Sequence, residues 1–156
     1  MTATYSWIKL VHVLAALWVA AGIFGSTVVR AQGKRATAPA ERAMAVRLLW
    51  RLHIVYSLPG VLLAGLVGFY LVSAGGFRFN ELWVMLASLL YLLLFLSTLF
   101  LVTPGLMRQK NAAMSLSAGG ATPAAEAALG AKLPGILSDV NALLVVVLVL
   151  LMVTKP

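Results

Sequence analysis

Four long apolar runs constrain this chain more than any other feature, because each is long enough to cross a bilayer as a helix. They cover residues 10–29, 52–72, 82–103 and 136–153. A helix rising about 1.5 Å per residue needs roughly 20 residues to span about 30 Å of hydrocarbon. Only helices and closed barrels satisfy every backbone group in lipid, and the runs lack the two-residue alternation of barrel strands. The expected fold class is therefore all-α, a four-helix transmembrane bundle forming a single integral membrane domain over residues 1–156. Composition points the same way. Charged residues make up 10% of the chain and hydrophobic ones 62%, against roughly 25% charged in soluble domains. The polar surface is too small to coat a water-soluble globule, so lipid must cover much of it.

The edges of the runs carry their own signals. Tyr5 and Trp7 precede the first, Trp50 and Arg51 stand at the entrance of the second, and Trp83 opens the third. These are interfacial anchors. Pro104-Gly105 is expected to stop the third run, and Pro134-Gly135 to introduce the fourth. The first run lacks a preceding basic region and is too long for a signal core, so it reads as a span and not as a cleaved signal.

Loop charge sets the expected orientation. Residues 30–51 hold Arg30, Lys34, Arg35, Arg42, Arg47 and Arg51, and residues 104–135 hold Arg108, Lys110 and Lys132. The opposite side holds Lys9, Arg78 and Lys155. Lys and Arg accumulate on the cytoplasmic side. Both long loops are therefore expected in the cytoplasm, with both termini on the outer, periplasmic side of a bacterial inner membrane. The same rule explains the net charge of +8 as orientation and attraction to anionic lipid, not as a nucleic-acid surface. Within the first loop, Pro39 can start a helix that runs into the second span. Residues 111–130, rich in Ala, Gly and Ser, read as a linker with a short helix near 123–129.

Packing faces are legible too. Gly60, Ala64 and Gly68 recur every four residues, a small-residue face that lets a neighbouring backbone approach. Pro59 removes a backbone donor nearby and should bend the helix. On the first run His12, Ala15, Ala16, Val19, Gly22 and Ser26 share a stripe.

Ionisable groups inside spans are costly and face a partner, a cavity or the bundle interior. There are three: His12, His53 and Asp139. His12, near the outer boundary among small residues, can ligate haem iron through a neutral imidazole. Its bland alternative is an interfacial histidine bonded to water or a carbonyl. His53 enters from the inner boundary, roughly 15–25 Å away in depth, so both imidazoles cannot hold one iron. Asp139 is expected to form a structural polar cluster with His53 or an arginine, Arg51 and Arg47 lying nearby, and Asn141 could join it. A sixth ligand for a haem on His12 would come from Met85 or Met152, at comparable outer depth, although methionine at an apolar position is more often core filler. The chain has no cysteine, which excludes thiolate metal sites and covalent c-type haem. No glycine-rich phosphate loop, nucleophile–base pair or carboxylate dyad is present.

Trp7-Ile8-Lys9-Leu10-Val11-His12, followed by Trp18 and Gly22, resembles the first helix of the J-type protoporphyrinogen IX oxidases. Arg51-Leu52 through Pro59 to Gly68 looks like their second helix, and the closing Lys155-Pro156 is similar to their ending. The chain also resembles a related family of four-helix bacterial inner-membrane proteins with the same Pro-Gly second helix, and both are grouped with the copper-resistance D membrane proteins. The resemblance implies that His12 ligates haem b. It does not carry over protoporphyrinogen oxidation, because the third run has neither the lysine nor the histidine of that family. Copper handling would call for clustered Cys, Met or His, and the six methionines are scattered.

Three readings follow. The chain is a haem-b or accessory subunit of a membrane electron-transfer assembly, or a cofactor-free assembly subunit binding partner helices or a second copy of itself, or a metal-handling protein.

Overall fold

The computed structural model describes residues 3–119 and 122–154. The closing Lys155-Pro156 lies outside the described residues. Four long helical stretches form the protein. Helix α1 is Ala3–Arg35, α2 is Pro39–Ala74, and α3 is Leu82–Ser117. The fourth stretch starts with a short helix, α4 (Pro123–Gly130), followed by the spanning helix α5, Leu133–Thr154. All four stretches are long and apolar enough to cross a membrane, and only 22–28% of each span's apolar window is buried inside the bundle. Lipid must therefore cover the remainder, including exposed Leu66, Phe100, Leu143 and Val153. The protein is a multi-pass integral membrane protein.

Two links between helices are short. Pro39 sits at the first turn of α2, where its missing N–H costs nothing. Between α2 and α3 the chain turns at Gly76, whose φ of 71° suits only glycine. Glu81 then starts α3: its carboxylate accepts the Arg78 N–H and the Trp83 indole N–H, both at 2.8 Å. These bonds, the backbone one foremost, hold the Glu81 carboxyl below its ordinary value of 4.5.

The expected stop at Pro104-Gly105 does not occur. Helix α3 continues to Ser117, and what was expected as loop after residue 104 begins as helix. The chain accommodates the proline by widening one turn into a π-turn over Ser97–Val102. There the Thr103 N–H reaches back five residues to the Thr98 carbonyl, instead of four. Helix α2 does the same ahead of Pro59, with a π-turn over His53–Ser57 in which the Leu58 N–H bonds the His53 carbonyl. A proline ring would clash with the carbonyl four residues back in a regular α-helix, and the shifted register relieves that clash. The two π-turns stand at one level, because His53 and Thr103 meet across them.

Each Pro-Gly pair marks a helix crossing. A Cβ at Gly60 would lie 2.9 Å from Val19 Cγ2 of α1, and one at Gly105 would lie 2.6 Å from Pro134 Cγ of α5. Glycine thus lets these backbones meet. The central core is built by Val19, Ile23, Val61, Ala87, Leu94, Val145 and Leu148, and a second cluster of Leu49, Val102 and Leu106 lies toward the basic end. Beyond it, Lys110 Nζ sits 5.0 Å over the Trp50 ring, and Gln109 donates to the Ala131 carbonyl at 3.0 Å. Ala3 and Thr154 mark the opposite end of the bundle.

Candidate functional site

Two polar regions sit inside the bundle, one toward each end. The first surrounds His12. A cavity of about 510 Å³ opens between the four spans in the half nearer Ala3 and Thr154. Tyr5 and Lys9 stand at its mouth, His12 lies one turn deeper, and Val19, Val61, Leu94 and Val145 close its floor. These four floor residues belong to the central core. The Nδ1 atom of His12 is buried with no hydrogen-bond partner, while the ring interacts with the Ala64 backbone. A Cβ at Gly68 would lie 3.0 Å from His12 Cε1, so a bulkier residue there would push on the imidazole.

The expected small-residue face of α2 divides its work. Gly60 admits the α1 backbone at Val19, Ala64 lines the cavity, and Gly68 makes room for His12. Sequence reasoning missed Gly65, which provides the space for the Tyr91 hydroxyl. That hydroxyl donates to the Val61 carbonyl at 3.2 Å, tying α3 to α2. The signal was available: Tyr91 is the one tyrosine within the third apolar run, and a buried phenol needs an acceptor.

The two methionines separate. Met152 lines the cavity together with His12. Met85 is 54% exposed and is not brought to it. Its neighbour Val84 faces inward, and one residue on a helix turns the side chain about 100° away.

The second region lies at the level of the π-turns. His53 Nε2 and Thr103 Oγ1 are 2.8 Å apart, Thr103 Oγ1 donates to the Thr98 carbonyl at 2.7 Å, and Asn141 Nδ2 donates to Thr98 Oγ1 at 3.2 Å. Thr103 has a single proton and gives it to Thr98, so His53 must donate from Nε2. His53, Thr98 and Asn141 are all at most 3% exposed. With Ser26, Ser57 and Ser138 they line a void of about 10 Å³, near the volume one water needs.

Asp139 takes an arginine as its partner, though not Arg51, and His53 bonds elsewhere. Asp139 pairs with Arg30 of α1 at 2.7 Å, and Arg30 also donates to the Gly135 carbonyl at 2.8 Å. The reason is helical geometry. Residues two apart point to opposite faces, so with His53 turned inward Arg51 is exposed on α2. With Asn141 turned inward, Asp139 faces α1. Along α2, His53 lies fifteen residues before Gly68, the neighbour of His12. The two imidazoles are therefore separated by about 22 Å along the helix.

No three of His, Cys, Asp and Glu come together as a metal site among the described residues. Four spanning helices tied by buried polar contacts define a small multi-pass membrane protein. The chain belongs to the family described as predicted integral membrane protein (DUF2269), whose model matches residues 6–156. No curated protein and no solved structure matches the chain.

Proposed function

We propose that this protein is a non-catalytic subunit of a bacterial inner membrane, binding the helices of a partner protein or of a second copy of itself. The observation that carries this reading is how the spans use their polar side chains. Trp18 bonds the Val55 carbonyl, Tyr91 the Val61 carbonyl, His53 meets Thr103, Asn141 bonds Thr98, and Arg30 meets Asp139. Each is a tie between helices, the use that polar groups have in membrane bundles. The wide apolar exterior leaves room for further helices beside lipid. Arg30, Lys34, Arg35, Arg42, Arg47, Arg51, Arg108, Lys110 and Lys132 gather toward one end, and this supports placing that end in the cytoplasm and both termini outside.

The test is purification of the tagged protein in mild detergent from its native host. Stoichiometric co-purification of a membrane protein, or a dimer by light scattering, supports the reading. A strict monomer in native nanodiscs overturns it.

A second reading is favoured by His12 alone among these groups. Its unpartnered Nδ1 and the adjoining cavity fit a haem b, with His12 as axial ligand and Met152 on the lining as the sixth-ligand candidate. Bound there, haem would supply one-electron transfer. A Soret band that persists in His53→Ala and vanishes in His12→Ala supports this reading. A colourless protein from haem-replete cells overturns it.

A further inference from the structure

We propose that the cavity beside His12 is a binding site for a single-tailed anionic amphiphile, its acidic head next to Lys9 and its hydrocarbon between the four spans. This goes beyond the partner reading and does not depend on it. Four observations carry it. The first is size: about 510 Å³ falls within the roughly 300–1,000 Å³ of small-molecule sites. A further helix, about 10 Å across, is too large to be the occupant.

The second is the distribution of polarity. The floor is Val19, Val61, Leu94 and Val145, the polar groups Tyr5, Lys9 and His12 lie toward the mouth, and Ser88 of α3 adds one hydroxyl to the lining. The deeper hydroxyl of Tyr91 is already bonded to Val61. Water is a poor occupant of such apolar walls, whereas a hydrocarbon tail matches them. The third is charge: Lys9 lines the site and, among the described residues, no carboxylate does. An acidic head at the mouth meets a cation there, and a head that keeps a hydroxyl, as a phosphate monoester does, can donate it to the unpartnered His12 nitrogen one turn below. The fourth is length. From Tyr5 to Val19 the cavity follows α1 for about 21 Å, more than half of the ~30 Å hydrocarbon core, which suits one extended tail. The acid can be a carboxylate or a phosphate, from a free fatty acid or an isoprenyl phosphate.

Trp83 lines the cavity and reports on its contents. The full chain in detergent is titrated with brominated palmitate, and tryptophan quenching is followed. The expected result is saturable quenching whose saturable part is lost in Trp83→Phe. Lys9→Gln should weaken it about two- to fivefold, as should replacing the acid by the brominated alcohol. Filling the cavity with Ser88→Leu should abolish it, while a melting curve close to the parent's confirms that this variant folds. Should Ser88→Leu not fold, the Lys9→Gln and alcohol arms decide alone. Competition by farnesyl phosphate at lower concentration than by palmitate assigns the phosphate source, and the reverse order assigns the fatty acid. Equal binding of acid and alcohol, unchanged by Lys9→Gln, overturns the proposal. So does a porphyrin spectrum that is lost in His12→Ala.

Discussion

Trp18 of α1 donates its indole N–H to the Val55 carbonyl of α2 at 2.9 Å, and Val55 stands four residues before Pro59. Proline has no N–H to give to that carbonyl. A side chain from another helix thus supplies the donor that the proline removed. In lipid, where water cannot step in, an unpaired carbonyl is costly. Trp18→Phe should therefore lower stability by about 1–2 kcal/mol, and Pro59→Ala, which restores a backbone donor, should reduce that loss. A double-mutant cycle on unfolding in mixed micelles reads the coupling. Additive losses would show that the two residues do not share the carbonyl.

Gly22 and Gly65 should tolerate no side chain. A Cβ at Gly22 would lie 2.7 Å from the Ser57 backbone nitrogen, and one at Gly65 would run into the Tyr91 hydroxyl. Overpacking of this kind costs about 1–3 kcal/mol. Gly65→Ala combined with Tyr91→Phe should recover part of the loss, because the obstructing oxygen is gone. Thermal melting of the three variants checks this.

The two ends of the buried polar chain should respond differently to substitution. Thr103→Val removes the acceptor of His53 and the second donor to the Thr98 carbonyl. Leaving such buried groups unpaired costs about 1–3 kcal/mol. Asn141 already holds an unpartnered Oδ1, so Asn141→Leu should cost less or even stabilise. Thermal unfolding followed by circular dichroism ranks the pair, and the reverse order would refute the assignment of partners.

Arg30 should matter more than its counter-ion. Asp139 is 61% exposed, against 17% for Arg30, so screening reduces the ion pair to about 0.5–1 kcal/mol. Arg30 additionally holds the Gly135 carbonyl and the Thr27 hydroxyl. Arg30→Ala should therefore destabilise more than Asp139→Ala, as measured by melting in detergent.

The Glu81 carboxylate gives the turn before α3 a pH dependence. Its carboxyl is held below 4.5 by the Arg78 N–H, the Trp83 indole and the Arg78 charge. A depressed acid contributes stability above its unfolded value and loses it as pH falls through the folded one. Acidification below the ordinary carboxyl range should loosen the turn and shift Trp83 emission, and Glu81→Gln should remove that shift.

How much of this was legible in the sequence depends on the range of the interaction. The spans announce themselves through composition, as does the gathering of arginines and lysines in two connecting segments. Partner choice was not legible. Asp139 was expected to meet His53 or an arginine near Arg51, and the arginine it meets is Arg30 of α1, because which helices are neighbours is invisible along one chain. Nor was the passage through Pro104. Proline signals a break locally, but the π-turn at Ser97–Val102 and the Thr103–Thr98 bond let the helix continue. The residue types alone dictated a membrane helix bundle, since hydrocarbon demands long apolar helices whatever their arrangement. Tertiary structure decided where helices separate to leave a cavity at His12 and where they close upon polar groups, because both depend on contacts between residues far apart in sequence.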